Sequence, residues 1–414
     1  MRNVFDQYQQ PENRLTHAVV STLDADRRLL RPFLRSLGFT SVPLAARLQL
    51  VEQQLPGEIE SGLDEERGLP DACAYDDDGF AALIESKVQA SVRVGQLRRH
   101  LKTAEHHGYP GAQLVVISVD EPKVALPQGV RHVHWKDVYC WFARRTDSSW
   151  ARRLREYMEV FEARMIARDY AIRGTLTMFN GLRFDDDHPY TYAEGKRLLR
   201  LLGDELRGRA DLKKLGVDPE GKGRSAITGR GEGRVWDHLA LREARRAKML
   251  TDHPHVTLSI GRDSADVGVT VPNGIRGGFR TRLATLGPDR FAEFITTLEK
   301  SLRPAVDSSR DAKPLIYVLQ RHYRTQRSIP DEDARLTVDL GTAVRGSRRG
   351  VKYQPEWFDT IYSVLVHKRS NLQLGAHVRF SYACPKVRSR KAVDLFARAA
   401  IGLKPMLDLA LGRF

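Results

Sequence analysis

Three side chains near the front of the chain have the types and spacing for hydrolytic chemistry. They lie in PDACAYDDDGFAALIESKV, residues 70–88. Glu85 and Lys87 stand two apart late in an apolar run, and strand residues i and i+2 project to the same face. Asp77-Asp78-Gly79 is a tight-turn signal, because glycine accepts the positive φ that such turns need. Folding the segment there lays Asp71 beside Glu85. Two carboxylates in apolar surroundings repel unless a cation lies between them. Lys87 supplies part of that charge, and a divalent ion with hard oxygen ligands, Mg²⁺, supplies more. A metal so held polarises a phosphodiester and lowers the pKa of a bound water. The lysine then positions that water or stabilises charge on the phosphorane. Asp76, Asp77 and Asp78 fall at the turn tip and read as solvated turn residues.

These groups need a scaffold, and the flanking sequence supplies one. Leu15, Val19, Leu23, Leu29, Leu30, Phe33 and Leu34 recur at helical spacing over residues 12–37, after Pro11 and before Gly38. The pattern predicts one long helix, or two with a break at residues 24–26. Residues 46–55 read as a strand, 94–108 as a helix closed by Gly108, and the apolar run 112–120 as a central strand. Residues 130–135 form a short strand followed by a helix, with an interruption near 146–149. The order helix, strand, hairpin, helix, strand, strand, helix implies an α/β unit on a small mixed sheet. Residues 1–150 are taken as this domain, 151–170 as a helical connector and 171–414 as a basic α+β domain.

In that third part, residues 208–236 are rich in Gly and basic side chains and read as a mobile loop. Strands are expected at 255–260, 266–271, 336–341 and 373–383, with helices at 289–302 and 390–407. Three basic clusters stand out: 318–327, 345–352 and 385–392. Arg345, Arg348, Arg349, Lys352, Lys386, Arg388, Arg390 and Lys391 are the candidate phosphate contacts. His106, His107, His132 and His134 lack metal-ligand partners at useful spacing and read as surface and strand histidines.

The chain carries a formal charge of +15, with a pI near 9.8. The distribution says more: net charge is roughly −2 over residues 1–150 and roughly +17 over 151–414. A near-neutral front and a basic rear suggest chemistry first and grip on a polyanion second. Three cysteines without paired spacing suggest neither a disulfide framework nor a zinc site, which suits a reducing cytoplasm. The N-terminus lacks the apolar core of a signal peptide, and no run approaches the ~20 apolar residues of a membrane span; no membrane partner is expected.

Pro70-Asp71 followed by Glu85-Ser86-Lys87, in this order and context, resembles the motif of the PD-(D/E)XK nuclease superfamily, whose fold is restriction-endonuclease-like. The resemblance covers about residues 5–150. It implies that Asp71 and Glu85 hold Mg²⁺, with Mn²⁺ as a substitute, and that Lys87 assists the attacking water. Two further positions look like family features: Glu12, on the helix before the sheet, as a third metal ligand, and Gln96, on the helix after the motif strand, as an orienting residue. Gln89 is a lower-ranked alternative to Gln96. The expected function is Mg²⁺-dependent hydrolysis of DNA, with RNA not set aside, in prokaryotic restriction or anti-phage defence. Cutting both strands favours a homodimer, and subunits of such a defence system are further expected partners. The competing expectation is a non-catalytic or ligand-gated nucleic-acid-binding protein on the same scaffold.

Overall fold

The computed structural model describes residues 5, 10–53, 69–170, 174–221, 223–224, 233–246, 250–272, 275, 278–325, 331–345, 356–366 and 372–414. The chain is mixed α/β, and its two sheets fall in separate units. Unit 1 comprises Met1–Met165 and Ile172–Met178; unit 2 comprises Ile166–Ala171 and Phe179–Phe414.

Unit 1 begins with α1 (Pro11–Ala25) and α2 (Leu30–Ser36), separated by a short 3₁₀ turn, Arg27–Leu29. The break expected at 24–26 is therefore real, and the stop at Gly38 has φ +91°. Strands β1 (Gln49–Glu52), β2 (Ala72–Tyr75) and β3 (Ala81–Lys87) precede α3 (Val94–His106). Then come β4 (Gln113–Ser118), β5 (Val130–His134), α4 (Trp135–Ala143) and α5 (Ser149–Arg168). The five strands lie in chain order; β1–β2–β3 pair antiparallel, and β3–β4–β5 parallel. Parallel strands covered on both faces need apolar residues on both, as in QLVVIS and AALI. One side packs Val115, Ile117 and Ile84 against Leu15, Val19 and Phe33; the other packs Leu83, Leu114 and Val116 against Leu97 and Ala104 of α3.

The helix expected as a connector over 151–170 corrects the domain boundary. Leu154, Tyr157, Met158 and Phe161 of α5 belong to the same core as α1 and α2. Their three- and four-residue spacing makes an apolar stripe, and such a stripe is buried rather than left as a tether.

Unit 2 contains α6 (Tyr192–Gly208), α7 (Ala210–Leu215), β6 (Arg234–Leu239), β7 (His255–Gly261), β8 (Ser264–Val271), α8 (Phe279–Leu286) and α9 (Pro288–Asp307). It continues with β9 (Lys313–His322), β10 (Asp331–Asp339), α10 (Leu340–Arg345), α11 (Glu356–Val366), β11 (Leu372–Ser381), α12 (Ala392–Gly402) and α13 (Lys404–Leu411). Six strands form one antiparallel sheet in the order β10-β9-β11-β8-β7-β6. Residues 208–236 are not one loop. They hold α7, a left-handed Gly216 (φ +105°) and the start of β6, while 222 and 225–232 lie outside the described residues. The helix expected over 390–407 is two, α12 and α13, with Pro405 in the first turn of the second.

Candidate active site

Register decides which side chains meet. Ala72 pairs with Ile84 in the antiparallel hairpin, so Asp71 lies at the level of Glu85, as the sequence predicts. The turn between the strands is wider than a two-residue turn: Asp76 N–H donates to the Phe80 carbonyl at 3.0 Å, and Gly79 has φ +95°. Asp76 is a correction. Instead of facing solvent it is buried, and its Oδ1 accepts the amides of Asp78 (3.1 Å) and Phe80 (2.9 Å). It shapes the turn from within and does not reach Glu85's end of the hairpin.

Glu85 is fully buried and Lys87 nearly so, at 13% side-chain exposure. Lys87 Nζ donates to Glu85 Oε1. On the other oxygen the structure supplies a residue the sequence did not single out: His100 Nε2 lies 3.0 Å from Glu85 Oε2, and both side chains are fully buried. His100 occupies the buried stripe of α3 with Leu97 and Ala104. A histidine at an apolar stripe position, beneath a strand that carries a carboxylate, was the available signal.

Asp71 Oδ2 accepts the Ser86 backbone amide at 2.6 Å. Burial, and then the charge of Glu85, push the Asp71 carboxyl up to about 7. Burial pulls Glu85 in the same direction, but the His100 bond and Lys87 outweigh it and hold Glu85 below its ordinary value. The two acids thus differ in balance: two side-chain partners outweigh burial at Glu85, while at Asp71 burial and Glu85 outweigh the Ser86 amide.

Glu12 does lie near the end of the motif strand, but on a different task. Its Oε1 accepts three successive amides, Val88 (3.3 Å), Gln89 (3.0 Å) and Ala90 (3.3 Å). Burial raises its carboxyl, and these bonds bring it below the ordinary range. The structure therefore spends this carboxylate on the chain leaving β3 and does not gather it with Asp71 and Glu85. Among the described residues, no group of three His, Cys, Asp or Glu side chains is arranged to hold a metal ion. Gln96 is half-buried in the first turn of α3, one turn before His100, and Gln89 is exposed.

His132 and His134 share a face of β5 as expected, with ring centroids 4.5 Å apart. His132 Nε2 lies 2.8 Å from Ser118 Oγ. Both rings are half-buried rather than on the surface.

The basic clusters fare differently. Arg348, Arg349 and Lys352 lie outside the described residues, as does the side chain of Arg345, the last residue of α10. In the other cluster, three cations are bound within unit 2. Lys386 Nζ donates to the Ser308 carbonyl at 2.7 Å, Arg388 to Asp185 at 2.5 Å, and Arg390 sits 3.7 Å from Glu205. They tie the 385–391 turn to its surroundings, while the Arg388 and Arg390 side chains stay 43% and 61% exposed. Lys391 is exposed at the start of α12. Residues 318–322 of the remaining cluster are the end of β9.

Comparison with known proteins returns no matching family model and no matching curated sequence. No helix among the described residues is long and apolar enough to cross a membrane.

Proposed function

We propose that unit 1 is a restriction-endonuclease-like domain and that the protein is a Mg²⁺-dependent deoxyribonuclease. The observation that carries this is the Asp71 carboxyl, pushed up to about 7 by burial and by Glu85 despite its bond from the Ser86 amide, with Lys87 on the same strand face. A neighbouring carboxylate and burial disfavour a second negative charge, and a divalent cation between the two acids would relieve both effects. The donor chemistry fits Mg²⁺, which takes oxygen ligands and is commonly bound by one or two carboxylates. Asp71 and Glu85 would hold it, and its contribution when bound is polarisation of the phosphodiester and a lowered pKa of water.

The rest follows from the chain's own groups. Ser86 N–H fixes Asp71 Oδ2, and His100 fixes Glu85 Oε2. Of Glu85's two partners, Lys87 has the flexible stem and the only exposure, 13% against none for His100. It is the group able to leave Glu85 and orient a water or meet charge on the phosphorane. Glu12 holds the exit of β3 and with it the position of Lys87. A role in restriction or anti-phage defence, action as a homodimer and company of other subunits remain part of the proposal from resemblance.

The test is cleavage of plasmid DNA with Mg²⁺. Asp71→Ala, Glu85→Ala and Lys87→Ala should each lower the rate by at least about 100-fold. Rates unchanged in all three would remove the assignment. The commitment of both Glu85 oxygens to protein partners favours one second reading, a nucleic-acid-binding protein without catalysis. Absence of cleavage with any divalent metal, with DNA binding retained, would select it.

A further inference from the structure

The six-stranded sheet has two unlike faces. Strand alternation puts Val256, Leu258, Ile260, Val267, Val269, Val378, Phe380 and Ile316 on one side, all at 1% exposure or less. Helices α6, α9 and α12 pack against its strands, and Phe380 stacks on Phe396 of α12 at 5.1 Å. The opposite side carries polar and aromatic residues; Leu315, Leu319, His238, His255, Ser259 and Thr270 on it are buried, and the exposed positions lie around them. Pairing aligns Trp236 with Ser259, Ser259 with Asp266, and Asp266 with Arg379. A parallel row aligns Thr270 with Gly375, Gly375 with Tyr317, and Tyr317 with Thr337. His377 and Arg335 fall on the same side.

Two features make this face a platform. Tyr317 packs its ring over Gly375, where a Cβ would overlap the tyrosine ring. The ring is braced by Gln373, whose Nε2 donates to the phenol at 2.9 Å, and by His377, at 5.7 Å between centroids. Trp236 already carries one planar cation, the Arg224 guanidinium, 4.0 Å from its ring centre. Both rings are half-exposed, and around them Arg234, Arg335 and Arg379 are exposed. Arg335 is held by Glu332 through two bonds, at 2.8 and 2.7 Å, and Arg379 by Asp266 through Nε at 2.9 Å. Nε2 of His377 is buried without a hydrogen-bond partner.

We propose that this face of the unit 2 sheet binds single-stranded DNA. Flat rings with arginines beside them are what a strand of unpaired bases recognises: bases stack on rings and phosphates meet guanidiniums, without sequence readout. The charge agrees, since residues 151–414 carry roughly +17. A duplex buries its base faces and would use the arginines alone. This adds the sheet face to the 385–392 cluster as a place for the expected grip, since Arg335 and Arg379 are ion-paired and exposed much as Arg388 and Arg390 are. The choice of DNA over RNA rests on the nuclease proposal; the surface itself does not.

The experiment is fluorescence anisotropy of a labelled oligothymidine with the full chain, in EDTA so that nothing is cut. Tyr317→Ala should weaken binding about 5- to 100-fold, and Tyr317→Phe, which keeps the ring, should bind like wild type. The double change Arg335→Glu with Arg379→Glu, at exposed positions, should weaken binding and flatten its dependence on salt. Wild-type affinity in the double variant, tighter binding of duplex, or tighter binding of an oligouridine of the same length would overturn the proposal. Oligothymidine binding that depends on Tyr317, in a chain that never cuts DNA with Mg²⁺, keeps the surface and removes the nuclease. Asp71-dependent cutting with binding indifferent to Tyr317 does the reverse.

Discussion

Both units build a sheet with one apolar face under helices, and they differ in what they do with the other. In unit 1 the second face is covered by α3, so its charged groups are buried: Glu85 and His100 are both fully inaccessible. In unit 2 the second face leaves Trp236 and Tyr317 partly exposed, His377 14% exposed, and Arg335 and Arg379 exposed. Burying few charges makes each one strongly perturbed and chemically specific, because low dielectric magnifies every neighbour. Exposing many charges leaves each one weakly coupled, and what remains is a summed field and a set of flat contacts. The first arrangement suits bond breaking, the second suits holding a polyanion.

The most forceful way to break that comparison is to exchange the phenotypes. Asp71→Ala should abolish cleavage, by at least about 100-fold, while leaving oligonucleotide affinity within about twofold. The pair Arg335→Glu and Arg379→Glu should do the opposite, weakening affinity with single-turnover cleavage at saturating DNA preserved. Plasmid nicking and anisotropy on the same preparations check both. A single variant that lowers the two equally would mean the division of labour is false.

A smaller effect should follow at His100. It holds Glu85 Oε2 at 3.0 Å, and groups that orient metal ligands are typically worth 10–100-fold in metal affinity. His100→Phe should therefore weaken Mn²⁺ binding, read by calorimetry, by about that factor. His100→Gln, which keeps a donor, should recover part of it. Equal affinities in wild type and His100→Phe would show that Glu85 needs no second clamp.

How much of this could be seen in the sequence also differs between the units. The hairpin bringing Asp71 to Glu85 was legible because turn chemistry, strand alternation and a short sequence separation all act locally. His100 was not. Its role depends on α3 crossing β3, and a histidine among Leu97, Leu101 and Ala104 looks like any other interruption of an apolar stripe. Glu12 was legible as a residue near the site but not in its task, because an acceptor's partner is set by where the loop amides of 88–90 point. In unit 2 the clusters of Arg and Lys drew attention to 385–391, where the charges are answered by Asp185, Glu205 and the Ser308 carbonyl. The face proposed for binding there is assembled from all six strands, over residues 234–379. Only Tyr317 over Gly375, a contact across 58 positions, reveals that a glycine was left bare to seat a ring.

The smallest effects, and the most diagnostic of burial, concern pH. Asp71 has a folded value of about 7 against an ordinary 3.8, so folding favours its neutral form. The stability it allows unit 1 is fully present below 3.8 and is lost as pH rises toward 7. His255 is the mirror case: burial lowers it to about 4 from 6.5, and neighbouring His238 is also lowered, chiefly by burial. Folding again favours the neutral form, but for histidine this stability is present above 6.5 and is lost as pH falls toward 4. Amide exchange should therefore quicken in β2 and β3 as pH rises from 4 to 7, and in β6 and β7 as it falls from 6.5 to 4, after correction for intrinsic rates. Glu12 and Glu85, lowered from 4.5, and His132, lowered from 6.5 chiefly by burial, contribute in the opposite sense to Asp71 below those values, so the Asp71 part is read as the difference between wild type and Asp71→Asn. Asp71→Asn should flatten the first slope and leave the second, and His255→Phe should do the converse. Asn at position 71 should also make unit 1 more stable than wild type above pH 7, since it removes the repulsion from Glu85, and saturating Mg²⁺ should erase that advantage by stabilising only the wild type. A slope in β2 and β3 that survives Asp71→Asn would mean the raised carboxyl lies elsewhere, and the pairing of Asp71 with Glu85 would lose its meaning as a metal site.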